Sequence, residues 1–185
     1  TTLFNALTGA RQRVGNWPGV TVEKKTGRFT LDEQIVNVID LPGTYALEYE
    51  TQGLSEDERI ARDYALTGEA DLIVNVVDAA NLQRNLYLTY QLLDLGRPVL
   101  VVLNMMDAVS AKGEEIDLPA LQAALGCPVI GITASRSKGI ADLKATLIQA
   151  GTNPRRPATP QTLTSQHAAD LSTLANASAN LQQQS

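Results

Sequence analysis

Val99-Leu100-Val101-Val102-Leu103 is an unbroken aliphatic run that stops abruptly on Asn104-Met105-Met106-Asp107. A short run of this kind, rich in valine and bounded by turn formers, reads as a strand buried on both faces of a parallel sheet. The same reading applies to Leu72–Val77 upstream and to Pro128–Thr133 downstream. Between them, Leu82, Leu86 and Leu93 mark a helix that closes at Gly96 before Pro98. Shorter helical patterns cover Leu118–Leu125 and Ile140–Ala150. Strand alternating with helix means βαβ units and a parallel sheet.

Further upstream, Ser55 with Glu58 three residues on forms a capping box that opens a helix carrying Ile60, Ala61 and Tyr64 and ending at Gly68. Thr21–Thr30 and Gln34–Ile39 read as an antiparallel pair joined through Asp32-Glu33. Arg11–Gly19 mixes Gly, Asn, Trp and Pro without a period and reads as a loop. Thr1-Thr2-Leu3-Phe4-Asn5 opens on a helix already under way, which Gly9 stops. The predicted class is therefore α/β, a mostly parallel sheet with one antiparallel edge strand and helices on both faces.

Residues 151–162 are rich in Pro, Arg, Thr and Asn and read as a linker. Residues 163–185, with Leu171, Leu174 and Leu181, read as the start of a second, helical unit holding the single His167. The expected division is 1–150, 151–162 and 163–185. At 185 residues and 44% hydrophobic the chain supports one good-sized core. A formal net charge of -5 and a pI near 4.9 argue against a nucleic-acid partner. Cys127 is the only cysteine, so no internal disulfide forms. No stretch approaches the roughly 18 apolar residues of a membrane span.

In an open α/β sheet the ligand lies beyond the carboxyl ends of the strands, and four patterns fall there. Asp40-Leu41-Pro42-Gly43 offers a carboxylate for magnesium and a glycine amide for a terminal phosphate. Asn104-Met105-Met106-Asp107 offers a carboxylate that takes the N1 and N2 hydrogens of guanine, which adenine cannot match, while the Asn amide steadies the loops. The usual motif has Lys where Met105 stands, and Met supplies its apolar cover without the charge. Thr133-Ala134-Ser135 is small enough for a backbone amide to approach guanine O6. Thr21, within Gly19-Val20-Thr21-Val22-Glu23, could close over the magnesium and the γ-phosphate. Each pattern has a plain alternative: an ordinary turn for the first three, a β-branched strand start for Thr21. Their order and spacing are those of a GTPase.

A phosphate loop, Gly-x-x-x-x-Gly-Lys, is expected directly before Thr1. Thr1 is then the hydroxyl on magnesium and Thr2 begins the helix behind it. The metal set is Thr1, Thr21 and Asp40, and the groups nearest the chemistry are Thr21, Gly43 and Thr44. The expected fold is thus a P-loop NTPase G domain whose first strand and most of whose phosphate loop precede Thr1. Without that strand, residues 1–185 are expected to fold badly and to bind GTP poorly.

Thr1–Asn5, Arg11-Gln12-Arg13-Val14-Gly15-Asn16-Trp17-Pro18-Gly19-Val20-Thr21-Val22-Glu23 and Asp40-Leu41-Pro42-Gly43-Thr44-Tyr45 together resemble the G domain of bacterial ferrous iron transport protein B. Asn75-Val76-Val77-Asp78-Ala79 and Arg84-Asn85-Leu86-Tyr87-Leu88 extend the likeness, which runs to about Ala150. The resemblance implies a GTP-binding, slowly hydrolysing regulatory domain on the cytoplasmic face of the inner membrane. It also implies Mg2+, GTP or GDP as ligand, and potassium as activator through an Asn of the phosphate loop. The implied partners are the protein's own helical spacer and transmembrane Fe(II)-transport domain, with a small cytosolic protein as a further candidate. Gly19–Glu23 would belong to the first switch and Asp40 to about Glu58 to the second, with Leu47–Gln52 aperiodic as a mobile segment should be. The apolar tip Trp17-Pro18 is odd for a solvated loop and is read either as cover for the nucleotide or a partner, or as simple packing. Thr44 replaces the water-orienting Gln of familiar GTPases, so intrinsic turnover is expected to be slow. Two rival readings are an Era-like ribosome-assembly GTPase, which the acidic balance disfavours, and a degenerate G domain that only binds.

Overall fold

The structure is a computed structural model, and it describes residues 2–9, 12–44 and 55–153. Helix α1 (Thr2–Thr8) buries Leu3, Phe4 and Leu7 and ends at Gly9, whose φ of 58° turns the chain out of the helix. Strands β1 (Gln12–Asn16), β2 (Glu23–Leu31) and β3 (Gln34–Asp40) follow as an antiparallel sheet in that order. The β2–β3 hairpin turns on Asp32 and Glu33, with φ of 47° and 64°, the left-handed pair that matches strand twist.

β1 lies inside the stretch read as a loop. It pairs with β2 from Gln12↔Gly27 to Asn16↔Glu23, yet Val14 is 64% exposed and no residue of it is buried. An edge strand held by its backbone alone needs no apolar alternation, so none is written in the sequence.

Helix α2 (Glu56–Thr67) begins at the expected capping box: the Ser55 hydroxyl accepts from the Glu58 N–H at 3.3 Å, and the Glu58 carboxylate accepts from the Ser55 N–H at 3.0 Å. It closes at Gly68 in the left-handed region, beside the Arg97 side chain. Then come β4 (Ile73–Asp78), α3 (Leu82–Asp94), β5 (Val99–Asn104), α4 (Met106–Ala111), α5 (Leu118–Leu125), β6 (Val129–Gly131) and α6 (Ile140–Thr152). α6 takes in Gly151 and Thr152, the first residues of the expected linker. The remainder of that linker, and 163–185 with His167, lie outside the described residues.

β4, β5 and β6 form a parallel sheet with β5 central. The side chains of β5 alternate between two cores: Val99, Val101 and Leu103 join α3, α4 and α5, while Leu100 and Val102 join α1, α6 and β2. Helices therefore cover both faces, as expected. All five residues are at most 2% exposed. Burying such a side chain fully is worth about 1.5–3 kcal/mol. Between the helices and the sheet, buried Asn75 donates to the Thr89 hydroxyl at 2.7 Å, which satisfies both polar groups.

The antiparallel part is larger than one edge strand, and the strands form two sheets of three. Among the described residues β3 and β4 each pair on one side only, and Val76 of β4 is 46% exposed where both faces were expected to be covered.

Candidate functional site

Two of the four patterns meet at the carboxyl end of the parallel sheet. The register sets Asp78 beside Asn104 and Leu103 beside Gly131, so the loops after β4, β5 and β6 leave from one edge. Asn104 Oδ1 accepts the Ala134 N–H at 3.0 Å, and the Met106 N–H donates to the Ile132 carbonyl at 3.2 Å. These bonds tie Asn104–Asp107 to Thr133–Ser135. Thr133 is buried and Ser135 exposed.

The Ala134 amide is engaged by Asn104. Met105 stands in the left-handed region at φ 63°, ψ 34° and is 46% exposed. A non-glycine residue held there stores of order 1–3 kcal/mol and tends to mark a site, because the surroundings must impose it. Asp107 lies in the first turn of α4, and its Oδ2 is 3.4 Å from Arg136 Nε. Sequence reading missed Arg136: an arginine just past a small-residue turn carries no local signal.

Asp40 ends β3, and its partner in the register is Lys25 of β2. Lys25 bonds Glu23 at 2.8 Å, and that hydrogen bond and charge, with Asp40 adding, hold its ammonium above the ordinary lysine value. Leu41–Thr44 follow without regular structure, and Gly43 stands in open space. Thr21 is exposed and lies just ahead of β2, at the end of that strand where Lys25 sits. Gly19, at φ 77°, makes the turn ahead of Thr21, while Val22 is half-buried and Glu23 exposed. Thr2 is exposed at the start of α1, and Thr1 lies outside the described residues. One carboxylate with threonine hydroxyls fits a magnesium ion that shares its coordination with phosphates. Such a site has few protein ligands, and among the described residues no cluster of three His, Cys, Asp or Glu could cage a metal by itself.

Asp78 is drawn instead into local structure: its carboxylate accepts from the Ala80 N–H at 2.9 Å and the Asn81 amide at 2.7 Å. Cys127 is buried, and burial pushes its thiol up to about 12, away from any nucleophilic role. The Trp17 side chain turns inward against Tyr64 of α2 at 5.4 Å between ring centroids and is 7% exposed. Of the two readings of that tip, the described structure has packing.

A family model described as "Ferrous iron transport protein B" matches residues 1–147. The chain belongs to the ferrous iron transport protein B family. The Fe(2+) transporter FeoB of Shigella flexneri is 57% identical over 144 residues, 78% of this chain, and that of Escherichia coli K12 is 56% identical over the same length. The match spans only 19% of either relative. Among solved structures, the cytosolic domain of L. pneumophila FeoB superposes with a TM-score of 0.80 at 47% identity, covering 94% of this chain and 73% of that one. The GMPPNP form of the T. maritima FeoB cytosolic domain gives 0.79 at 42% identity, covering 85% and 61%. The fold is thus the G-domain fold of ferrous iron transport protein B, and the Era-like reading is set aside. No described helix is long and apolar enough to cross a membrane.

Proposed function

We propose that this chain is the GTP-binding, slowly GTP-hydrolysing regulatory domain of a bacterial inner-membrane Fe(II) uptake transporter, held on the cytoplasmic face. The observation that carries the reading is the Asn104–Ala134 hydrogen bond at 3.0 Å, which sets a guanine-type carboxylate, Asp107, beside the Thr133–Ser135 turn at one sheet edge. The forms named for the T. maritima relative, with GMPPNP and with GDP, support a guanine nucleotide as the ligand.

In this reading Asp107 takes the N1 and N2 hydrogens of guanine, and Met105 covers the base with its thioether chain. Thr133–Ser135 line the O6 side, with Met106 supporting the loop from below. Asp40, Thr21 and Thr1 hold Mg2+, which neutralises phosphate charge when bound. Leu41, Pro42 and Gly43 bring a backbone amide to the γ-phosphate, and Gly19, Val20, Val22 and Glu23 frame Thr21 on the other side. Thr44 stands where a longer side chain would orient the attacking water. Its reach is short, and turnover is slow for that reason. Potassium as activator, the helical spacer, the transmembrane Fe(II) domain and a small cytosolic partner follow from the family membership and belong to the same proposal.

Single-turnover hydrolysis of GTP by the full-length protein, with and without potassium, tests it. The expected rate is far below the ~5–20 s⁻¹ of activator-stimulated GTPases, and higher with potassium. A rate in that stimulated range without any partner would contradict the role given to Thr44. No hydrolysis at all would leave a module that only binds.

A further inference from the structure

Trp17 directly follows the exposed β1 strand, at a tip rich in Gly and Pro, a position where a large apolar ring would ordinarily meet solvent. Instead it is buried at 7% exposure. Its ring meets Tyr64 of α2 edge-on, with centroids 5.4 Å apart and planes at 69°. Lys24 Nζ, from the start of β2, sits 4.3 Å from the same ring's centroid. One aromatic ring is therefore held between the β2 strand and the α2 helix.

The backbone of Trp17 closes the loop that carries Thr21. Its N–H donates to the Val22 carbonyl at 2.9 Å, and its carbonyl accepts the Val20 N–H at 3.3 Å. Thr21 lies between those two bonded residues, so a displacement of Trp17 displaces Thr21. The indole Nε1 is buried and meets no acceptor among the described residues. Among the described residues the ring is thus held by packing and by its π face.

We propose that Trp17 is a positioning residue for the hydrolysis suggested above: it fastens the Gly19–Glu23 segment to α2 through Tyr64, so that Thr21 and the helix following Asp40–Gly43 take up one arrangement together. This rests on the GTPase reading. A contact of this kind matters most when a γ-phosphate requires Thr21 to close, and least with GDP.

The test uses the full-length protein and compares affinity for a non-hydrolysable GTP analogue with affinity for GDP, alongside the hydrolysis rate. Aromatic pairs of this geometry are worth about 2- to 10-fold in an equilibrium. Trp17→Ala and Tyr64→Ala should each weaken analogue binding by that factor, slow hydrolysis, and leave GDP affinity within about 2-fold. Trp17→Phe keeps a ring against Tyr64 and should restore the wild-type ratio. The Trp17→Ala/Tyr64→Ala double variant should be no worse than either single one. Equal losses for both nucleotides, or additive losses in the double variant, would reduce Trp17 to a packing residue and overturn the proposal. Where Trp17→Ala fails to fold, Tyr64→Ala and Trp17→Phe still decide. Wild-type protein that binds neither nucleotide would bring down the GTPase reading itself, and this proposal with it.

Discussion

Asn104 works through its side-chain oxygen: the bond to the Ala134 N–H is what makes two loops, thirty positions apart, into one wall. Replacing it by Ala leaves that part-buried amide without its acceptor, at a cost of about 1–3 kcal/mol. Asn104→Ala should therefore lower the midpoint of thermal unfolding and weaken guanine-nucleotide binding together, read by calorimetry and by titration. A variant with wild-type stability and affinity would show the bond to be incidental. Asn104 and Asp107 were legible in the sequence because their spacing is local and follows an unmistakable strand. Arg136 beside Asp107, and Lys25 beside Asp40, were not, since only tertiary folding brings them near. The left-handed backbone at Met105 was also unreadable, as nothing in Met favours it.

Helix α2 shows how an element's ends are set by side chains. Both halves of its capping box form, and the Ser55 backbone N–H, then its hydroxyl, hold the Glu58 carboxyl below its ordinary 4.5. Stability from that lowered pKa is present above pH 4.5 and is lost as the pH falls through the lower folded value. Ser55→Ala should cost about 1 kcal/mol at neutral pH. The gap between variant and wild type should narrow under acid, as pH-dependent unfolding curves would reveal. A gap constant down to pH 3 would mean that the Ser55 hydroxyl has no bearing on the Glu58 carboxyl, leaving only the backbone N–H to hold it. The box was legible because Ser-x-x-Glu is a local signal with a local cause. β1 was not, because its pairing uses the backbone and its side chains face solvent. Short α4 was missed for a similar reason: its capping position, Met105, offers no side-chain cap.

At the scale of the molecule, the alternation of β5 between two cores fixes the architecture, and that much could be read from its sequence alone. The split of the described strands into two sheets of three could not, because pairing between distant strands leaves no mark on either one. Both cores bury β5, and the loops after β5 and β6 leave from the carboxyl edge of the parallel sheet; in the proposed reading those loops and the one after β3 supply the chemistry. In that reading this edge binds guanine nucleotide through Asp107. Titration of the full-length protein with GDP and with ADP, wild type against Asp107→Ala, tests it most directly. Wild type should bind GDP and ignore ADP, and the variant should lose about 10- to 100-fold in GDP affinity, as expected for charge-assisted hydrogen bonds. Equal binding of the two nucleotides, or GDP affinity unchanged in the variant, would contradict it.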